Sequence, residues 1–404
     1  MLTLAWRNLR RRRGRSLLTA GAVGVVLLLT LVYFGFGGAA TNGVYQNLTE
    51  TSGHLQVRVA GYRDLRAFSD LLIRDAGEVR QALEGLPNAH IVGVLEVPGL
   101  LEGDGRSRGV LLQGVDQPEA ARERYADDTL AEGRLPELSD LESAALSRGL
   151  ARALGVGLGD TVYMYAPGTE GYGAAAYTVV GLLDLPGTVQ LARVSLAAAQ
   201  ELAAPGAVGR LEVHLAYRQL ADDRLLPGIR AGLSAELGAA YSVETWAEVN
   251  PGLASYLRSI GPSTVVVTGI FFVLAGLLVT NTVYLSVVER TREFGVIRAL
   301  GAGRGKVVRM VVTESLVLCA VGAAVGAALG LGVVGVLSRG FSFPPQLAEL
   351  YAESGLPTTL YASVGPAQLL TAVAFTLATG VLAALLPALT AARLEPTEAM
   401  RFTA

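Results

Sequence analysis

Three histidines, one cysteine and 35 acidic residues are what this chain could bring to metal or acid–base chemistry. His54, His90 and His214 stand far apart in strand-like or turn-like stretches, none with a second ligand at helical or finger spacing. Each is therefore expected to face solvent or to be bonded locally. Cys319 alone can close no disulfide within the chain and build no cysteine cluster around a metal. Neither a Gly-x-Ser-x-Gly elbow nor a His-Glu-x-x-His pair occurs. The run Gly301-Ala302-Gly303-Arg304-Gly305-Lys306 invites comparison with a phosphate-cradling loop, but Leu300 stands where the first glycine belongs and Val307 replaces the hydroxyl that would meet magnesium. The expectation is a chain that is not an enzyme, with no catalytic residue, no metal site and no cofactor of its own.

What must position the remaining candidates is a membrane. Of 404 residues, 51% are hydrophobic and 17% charged, and the mean hydropathy is +0.44. That composition excludes both an all-soluble chain and a disordered one. A net charge of −2 offers no field for nucleic acid. Four uncharged stretches are long enough to cross about 30 Å of hydrocarbon, one near the start and three in the last third. The fold class expected is four transmembrane α-helices, one plus three, with a large mixed α/β extracytoplasmic domain containing an inserted β-rich subdomain.

Arginine and lysine set the orientation, because positive charge stays on the cytoplasmic side. Six precede the first stretch (Arg7, Arg10, Arg11, Arg12, Arg13, Arg15) and six lie between the second and third (Arg290, Arg292, Arg298, Arg304, Lys306, Arg309). Only Arg339 lies between the third and fourth. Both termini are thus expected inside. The expected organisation is a basic cytoplasmic N-terminus (1–15), a first span (16–38), an extracytoplasmic domain (39–258) with a β-rich insertion at about 130–205, and a stalk with the second span (259–288). A cytoplasmic loop (289–309), a third span (310–338), an outer loop (339–365), a fourth span (366–388) and a cytoplasmic C-terminus (389–404) complete it. The outer segment carries eighteen arginines against 28 acidic residues, a net charge of −10, and is expected to be soluble. Within it, 69–86 has helical spacing and 91–97, 110–115, 161–165 and 177–183 read as strands.

Two membrane patterns stand out. Gly322, Gly326 and Gly330 repeat at four-residue intervals, a helix-packing face that suits close approach within the bundle or between subunits. Glu314 at the start of the third span fits a carboxylate near a helix N-terminus. The most informative constellation is cytoplasmic: Glu289-Arg290-Thr291-Arg292-Glu293-Phe294-Gly295-Val296-Ile297-Arg298-Ala299-Leu300-Gly301-Ala302. Phe294, Ile297 and Leu300 can form an apolar stripe on a short amphipathic helix that must bury against lipid, its own bundle or a partner.

This run resembles the signature of the permease subunits of MacB/FtsX-type ABC transporters, which include the lipoprotein-releasing LolC/LolE proteins. Leu4-Ala5-Trp6-Arg7-Asn8-Leu9 is similar to the family's opening, and Pro387-Ala388 with Ala391 to Arg401 to its close. Ser52-Gly53-His54-Leu55-Gln56-Val57 is similar to a segment of the LolC/LolE branch. The resemblance implies that 289–302 forms a coupling helix docking on a separate ABC ATPase subunit, with Glu289, Arg290, Arg292, Glu293, Phe294, Gly295, Ile297, Arg298, Leu300 and Gly301 as the ATPase-coupling residues. It implies ATP and magnesium in that partner, a second permease copy or paralogue, contact with membrane lipid, and an extracytoplasmic carrier or accessory protein. The location implied is the bacterial cytoplasmic (inner) membrane. The expected function is mechanotransmission, in which ATP hydrolysis moves the outer domain to extract or export lipoprotein, lipid or other amphiphilic cargo. The alternative is an FtsX-like regulator of an extracytoplasmic cell-wall hydrolase. A sensor or scaffold without an ATPase would need no docking helix.

Overall fold

The computed structural model describes residues 13–117, 129–185, 190–216, 220–344, 346–347 and 359–393. Along the chain come α1 (Arg13–Ser52), β1 (Leu55–Val59), α2 (Ala76–Glu84), β2 (His90–Gly103), β3 (Arg106–Val115), β4 (Leu130–Gly133), β5 (Ser143–Ser147), α3 (Arg148–Leu154), β6 (Thr161–Gly168), β7 (Gly171–Leu183), β8 (Leu191–Ser195) and α4 (Leu196–Ala203). Then follow β9 (Arg210–His214), α5 (Leu226–Leu237), β10 (Tyr241–Thr245), α6 (Trp246–Val249), α7 (Pro251–Glu289), α8 (Thr291–Ala299), α9 (Arg304–Leu337), β11 (Phe341–Ser342), β12 (Thr359–Leu360) and α10 (Pro366–Arg393). The chain divides into two units: a helical one holding the chain up to Thr41, Tyr256–Ser342 and the chain from Thr359, and a strand-rich one holding Asn42–Ser255 and Phe343–Thr358.

In the helical unit, α1, α7, α9 and α10 each contain a stretch apolar and long enough to span a bilayer. Their outward side chains, among them Leu29, Val265, Leu277, Leu329, Leu382 and Leu386, are exposed leucines and valines. Such a surface is favourable in hydrocarbon and unfavourable in water. Prolines interrupt the backbone hydrogen bonding of α7 at Pro262 and of α10 at Pro387, and the Ala383 carbonyl four residues before Pro387 is met by a neighbouring helix, as hydrocarbon requires. Hydroxyls join the helices at a few points: Thr19 to Thr282 at 2.8 Å, Thr280 Oγ1 donating to the Ala383 carbonyl at 3.1 Å, and Ser315 Oγ donating to the Gly380 carbonyl at 3.0 Å. All four helices exceed the expected spans, most of all α1 at 40 residues and α7 at 39 residues.

The strand-rich unit is built on one ten-stranded sheet in the order β10-β1-β9-β2-β3-β8-β5-β7-β4, with β6 pairing β2 and β7. Strands from the interval expected as a β-rich insertion continue this sheet. Strand β8 lies parallel to β3 (Leu111 beside Leu191), and β6 lies antiparallel to β2 (Leu101 beside Met164). One face carries Val57, Leu211, Leu95 and Val194, buried, and its Gly93 and Gly114 lie close beneath Leu196 and Ala199 of α4. The opposite face of β1, β9 and β2 sets a polar group, Gln56, Arg210, Glu212 and Glu96, beside the buried Val92 and Val94. The expected helix over 69–86 is confined to α2, because Ile73 leaves helical geometry to exchange backbone hydrogen bonds with Val208 at 2.7 and 3.1 Å.

The three histidines are not isolated. His90 sits directly opposite His214 on β2 and β9, and His54 Nδ1 accepts from the backbone N–H of Leu215 at 3.0 Å. His54 is buried rather than solvent-facing, with its ring edge-on to Tyr45 at 5.9 Å. Among the described residues no group of three His, Cys, Asp or Glu side chains could hold a metal ion.

Candidate docking helix and its supports

Helix α8 begins one residue after α7 ends, and the residue between them, Arg290, has φ −112° and ψ 13°, outside helical geometry. The helix stops at Ala299, and Gly301 then takes φ +92°, a left-handed conformation that glycine adopts without the Cβ penalty. Thr291 ties the first turn back to α7, its Oγ1 donating to the Val288 carbonyl at 2.8 Å.

The apolar stripe expected on this helix is divided. Phe294 is 1% exposed and belongs to a buried cluster with Val287, Val307, Val311, Ala388 and Ala391, so it anchors α8 to its own bundle. Leu300 is 83% exposed. A helix turns 100° per residue, so positions six apart are about 120° apart around the axis, and Leu300 lies beyond the last helical residue. Ile297 and Arg298 are half-buried, and Thr291 and Gly295 are buried. Facing outward are Glu289, Arg292, Glu293, Val296, Ala299, Leu300 and Gly301, with Arg304, Lys306 and Arg309 of α9 also exposed. The free surface is thus Val296 and Leu300 in a basic surround.

Arg290 carries contacts that periodicity could not reveal. Its Nε donates to Glu293 at 2.8 Å, its Nη1 donates to Glu314 on α9 at 2.8 Å, and its guanidinium lies 5.3 Å from the Phe294 ring centroid. Burial disfavours its charge, but these two carboxylates outweigh that and hold its pKa above the ordinary arginine value. Glu314 is ten residues into α9, too deep to cap its N-terminus, and its partner is Arg290.

Deeper in the bundle, Gly322, Gly326 and Gly330 face α1 of the same chain. A Cβ on Gly322 would meet the Ala20 carbonyl at 2.6 Å, one on Gly326 would fall on the Gly24 backbone, and one on Gly330 would meet Leu31 at 2.9 Å. The small residues allow two backbones to approach. Asn281 of α7 points out of the bundle.

Residues 16–223, just over half of the chain, match the MacB-like periplasmic core domain, and residues 265–396 match the FtsX-like permease C-terminal domain. The chain belongs to the MacB/FtsX-type permease family. The second match contains α8, α9 and α10, and so the candidate docking helix and Gly322, Gly326 and Gly330. The family's opening and closing motifs lie mostly in 1–12 and 394–404, outside the described residues.

YknZ of Bacillus subtilis, an uncharacterised ABC transporter permease, is 31% identical over 40% of this chain and 37% of its own length. The macrolide export ATP-binding/permease protein MacB of Chromobacterium violaceum is 35% identical over 38% of this chain and 21% of its own length. The matches thus span well under half of either relative. The solved periplasmic region of MacB from Actinobacillus actinomycetemcomitans aligns with 52% of this chain and 97% of itself, at 14% identity and a TM-score of 0.34. None of these three is a LolC/LolE protein. As a member of this family the chain is an ABC-type membrane permease with four apolar helices and a strand-rich periplasmic core domain.

Proposed function

We propose that this chain is the membrane subunit of an ABC transporter, that a separate ATPase docks on α8, and that the helices carry its movement into the periplasmic core domain. One observation carries the reading: Val296 on a short helix and Leu300 at its C-terminal cap are turned outward, while the helix's other side is fixed by Phe294. An apolar pair turned away from its own bundle, within an arginine-rich surround, suits the groove of a partner protein. ATP and magnesium belong to that partner.

The positive-inside count supports a cytoplasmic location for α8 and both termini and an outer one for the strand-rich domain. Asn281, turned out of the bundle beside the exposed Leu277, Leu278 and Leu285, supports a second permease copy or paralogue covering that side of α7, since an amide gains a partner there that lipid does not offer. The cargo class is amphiphilic, a lipoprotein, a lipid or a small export substrate, handled by the outer domain together with an extracytoplasmic carrier. The intimate packing of α1 on α9 at the glycine seam favours transmission of movement over a water-filled path between these helices.

Replacing Val296 and Leu300 together with aspartate is expected to lower ATPase retention in mild-detergent purification by about tenfold or more, with membrane insertion unchanged. Undiminished retention by V296D/L300D rejects α8 as the docking element. Phe294→Asp is not an equivalent test, because it buries a charge inside the bundle.

A further inference from the structure

Arg290 combines two roles that oppose each other. Its backbone is the single non-helical joint between α7 and α8, where a short helix could swing. Its side chain crosses that joint, bonding Glu293 on α8 and Glu314 on α9 at 2.8 Å each. Both ends of the contact to Glu314 are largely withdrawn from solvent, with side-chain exposures of 13% and 21%, so the charges are less screened than those of a surface pair.

We propose that the Arg290–Glu314 pair is a brace that locks α8 to α9, so that force applied to α8 moves α9 and, through the glycine seam, α1. Without the brace, α8 keeps its buried Phe294 and the Thr291 bond to α7 but loses its charged tie to α9, so part of a push on Val296 and Leu300 is absorbed at the joint. With it, the push reaches α9, whose Gly322, Gly326 and Gly330 are seated on Ala20, Gly24 and Leu31. Helix α1 continues from this seam to Ser52, three residues before the first strand of the sheet. The route runs from α8 through α9 to α1, rather than along α7, which is continuous with α8 in sequence. Arg290 and Glu314 are positioning residues, and the brace rests on the docking reading only for the source of the force.

The test is a set of interspin distance distributions on the full chain in lipid nanodiscs, with Cys319→Ser as background. Labels at V296C and V325C report α8 against α9, and labels at V273C and V325C report α7 against α9 as a control for the bundle. Glu314→Gln is expected to broaden the first distribution about twofold and leave the second unchanged, and the exchange Arg290→Glu with Glu314→Arg to restore the narrow width. An unchanged first width in Glu314→Gln overturns the brace, as does broadening of both pairs or broadening that the exchange fails to repair. Docking is read separately, by ATPase retained on the unlabelled wild-type chain. Loss of that partner with the widths behaving as expected would reject docking and keep the brace.

Discussion

Gly326→Val is expected to prevent the helical unit from assembling. The added Cβ would clash with the Gly24 carbonyl oxygen and lie 2.8 Å from the Gly24 Cα, so backbone, not a movable side chain, stands in its way. Overpacking of a side chain costs about 1–3 kcal/mol, and a backbone obstacle that forces two helices apart lies at or above the top of that range. Gly332→Val is the control, since nothing lies within 4 Å of a Cβ there on the same helix. Thermal unfolding in detergent, followed by fluorescence-detected size exclusion, should show Gly326→Val aggregated or strongly lowered in midpoint and Gly332→Val close to wild type. Equal behaviour of the two would remove the seam from the account.

The second large effect lies in the polar group on the sheet's other face. Glu212 and Arg210, both on β9, are 3% and 8% exposed. Arg210 Nε donates to Glu212 at 2.7 Å and its Nη1 reaches Glu96 on β2 at 2.9 Å. Burial penalises the Glu212 charge, but the His214 ring, its Nε2 3.5 Å from the carboxylate, and the neighbouring Arg210 outweigh it and hold the carboxyl below the ordinary glutamate value. Glu212→Gln leaves Arg210 buried beside a neutral amide, and removing one partner of a buried pair costs about 3–5 kcal/mol. The sign of the pH effect follows from the depressed pKa. The pair's contribution is fully present above the unfolded-state pKa of about 4.3 and is lost as pH falls through the lower folded-state value. Denaturant unfolding of the whole chain, read by Trp246 in a Trp6→Phe background, should show the wild type losing stability below about pH 4.3 and Glu212→Gln, already weaker at pH 7, losing less. A parallel acid limb in the two proteins would show that Glu212 is not the titrating group.

How much of this the chain disclosed in advance depended on the range of the constraint. The four long helices were legible because hydrocarbon admits few uncharged solutions and each is written in one continuous stretch. The docking run was legible as a motif, but which of its apolar residues faces outward was not. Phe294 and Leu300 look equivalent in a helical pattern, and only the neighbouring Val307, Val311 and Ala388 decide that Phe294 is the buried one. Contacts between elements were hidden altogether. Arg290 and Glu314 are 24 residues apart on different helices, and no local spacing marks their meeting. His90 and His214 face each other only because β9 enters the sheet beside β2. Composition suggested a separate insertion from about residue 130 and could not tell that its strands would extend the existing sheet through β8 and β6.

At the base of the strand-rich unit a further node escaped the same way. Asp223 accepts from Tyr45 Oη at 2.8 Å and from Trp246 Nε1 at 2.7 Å, while the Tyr45 and Trp246 rings meet edge-on at 5.6 Å. Tyr45 lies on the final turns of α1, and Trp246 opens the short helix before α7. The two chain segments that enter and leave the sheet are thus fastened to one carboxylate.

The most direct test of the account is photo-crosslinking from position 300 in native membranes, with a diazirine amino acid in place of Leu300. The account predicts a protein adduct whose partner binds ATP, formed in the wild-type background and lost when Val296 is changed to aspartate. Adducts to lipid alone, or to this chain's own helices, would contradict it and leave α8 as a membrane-surface element.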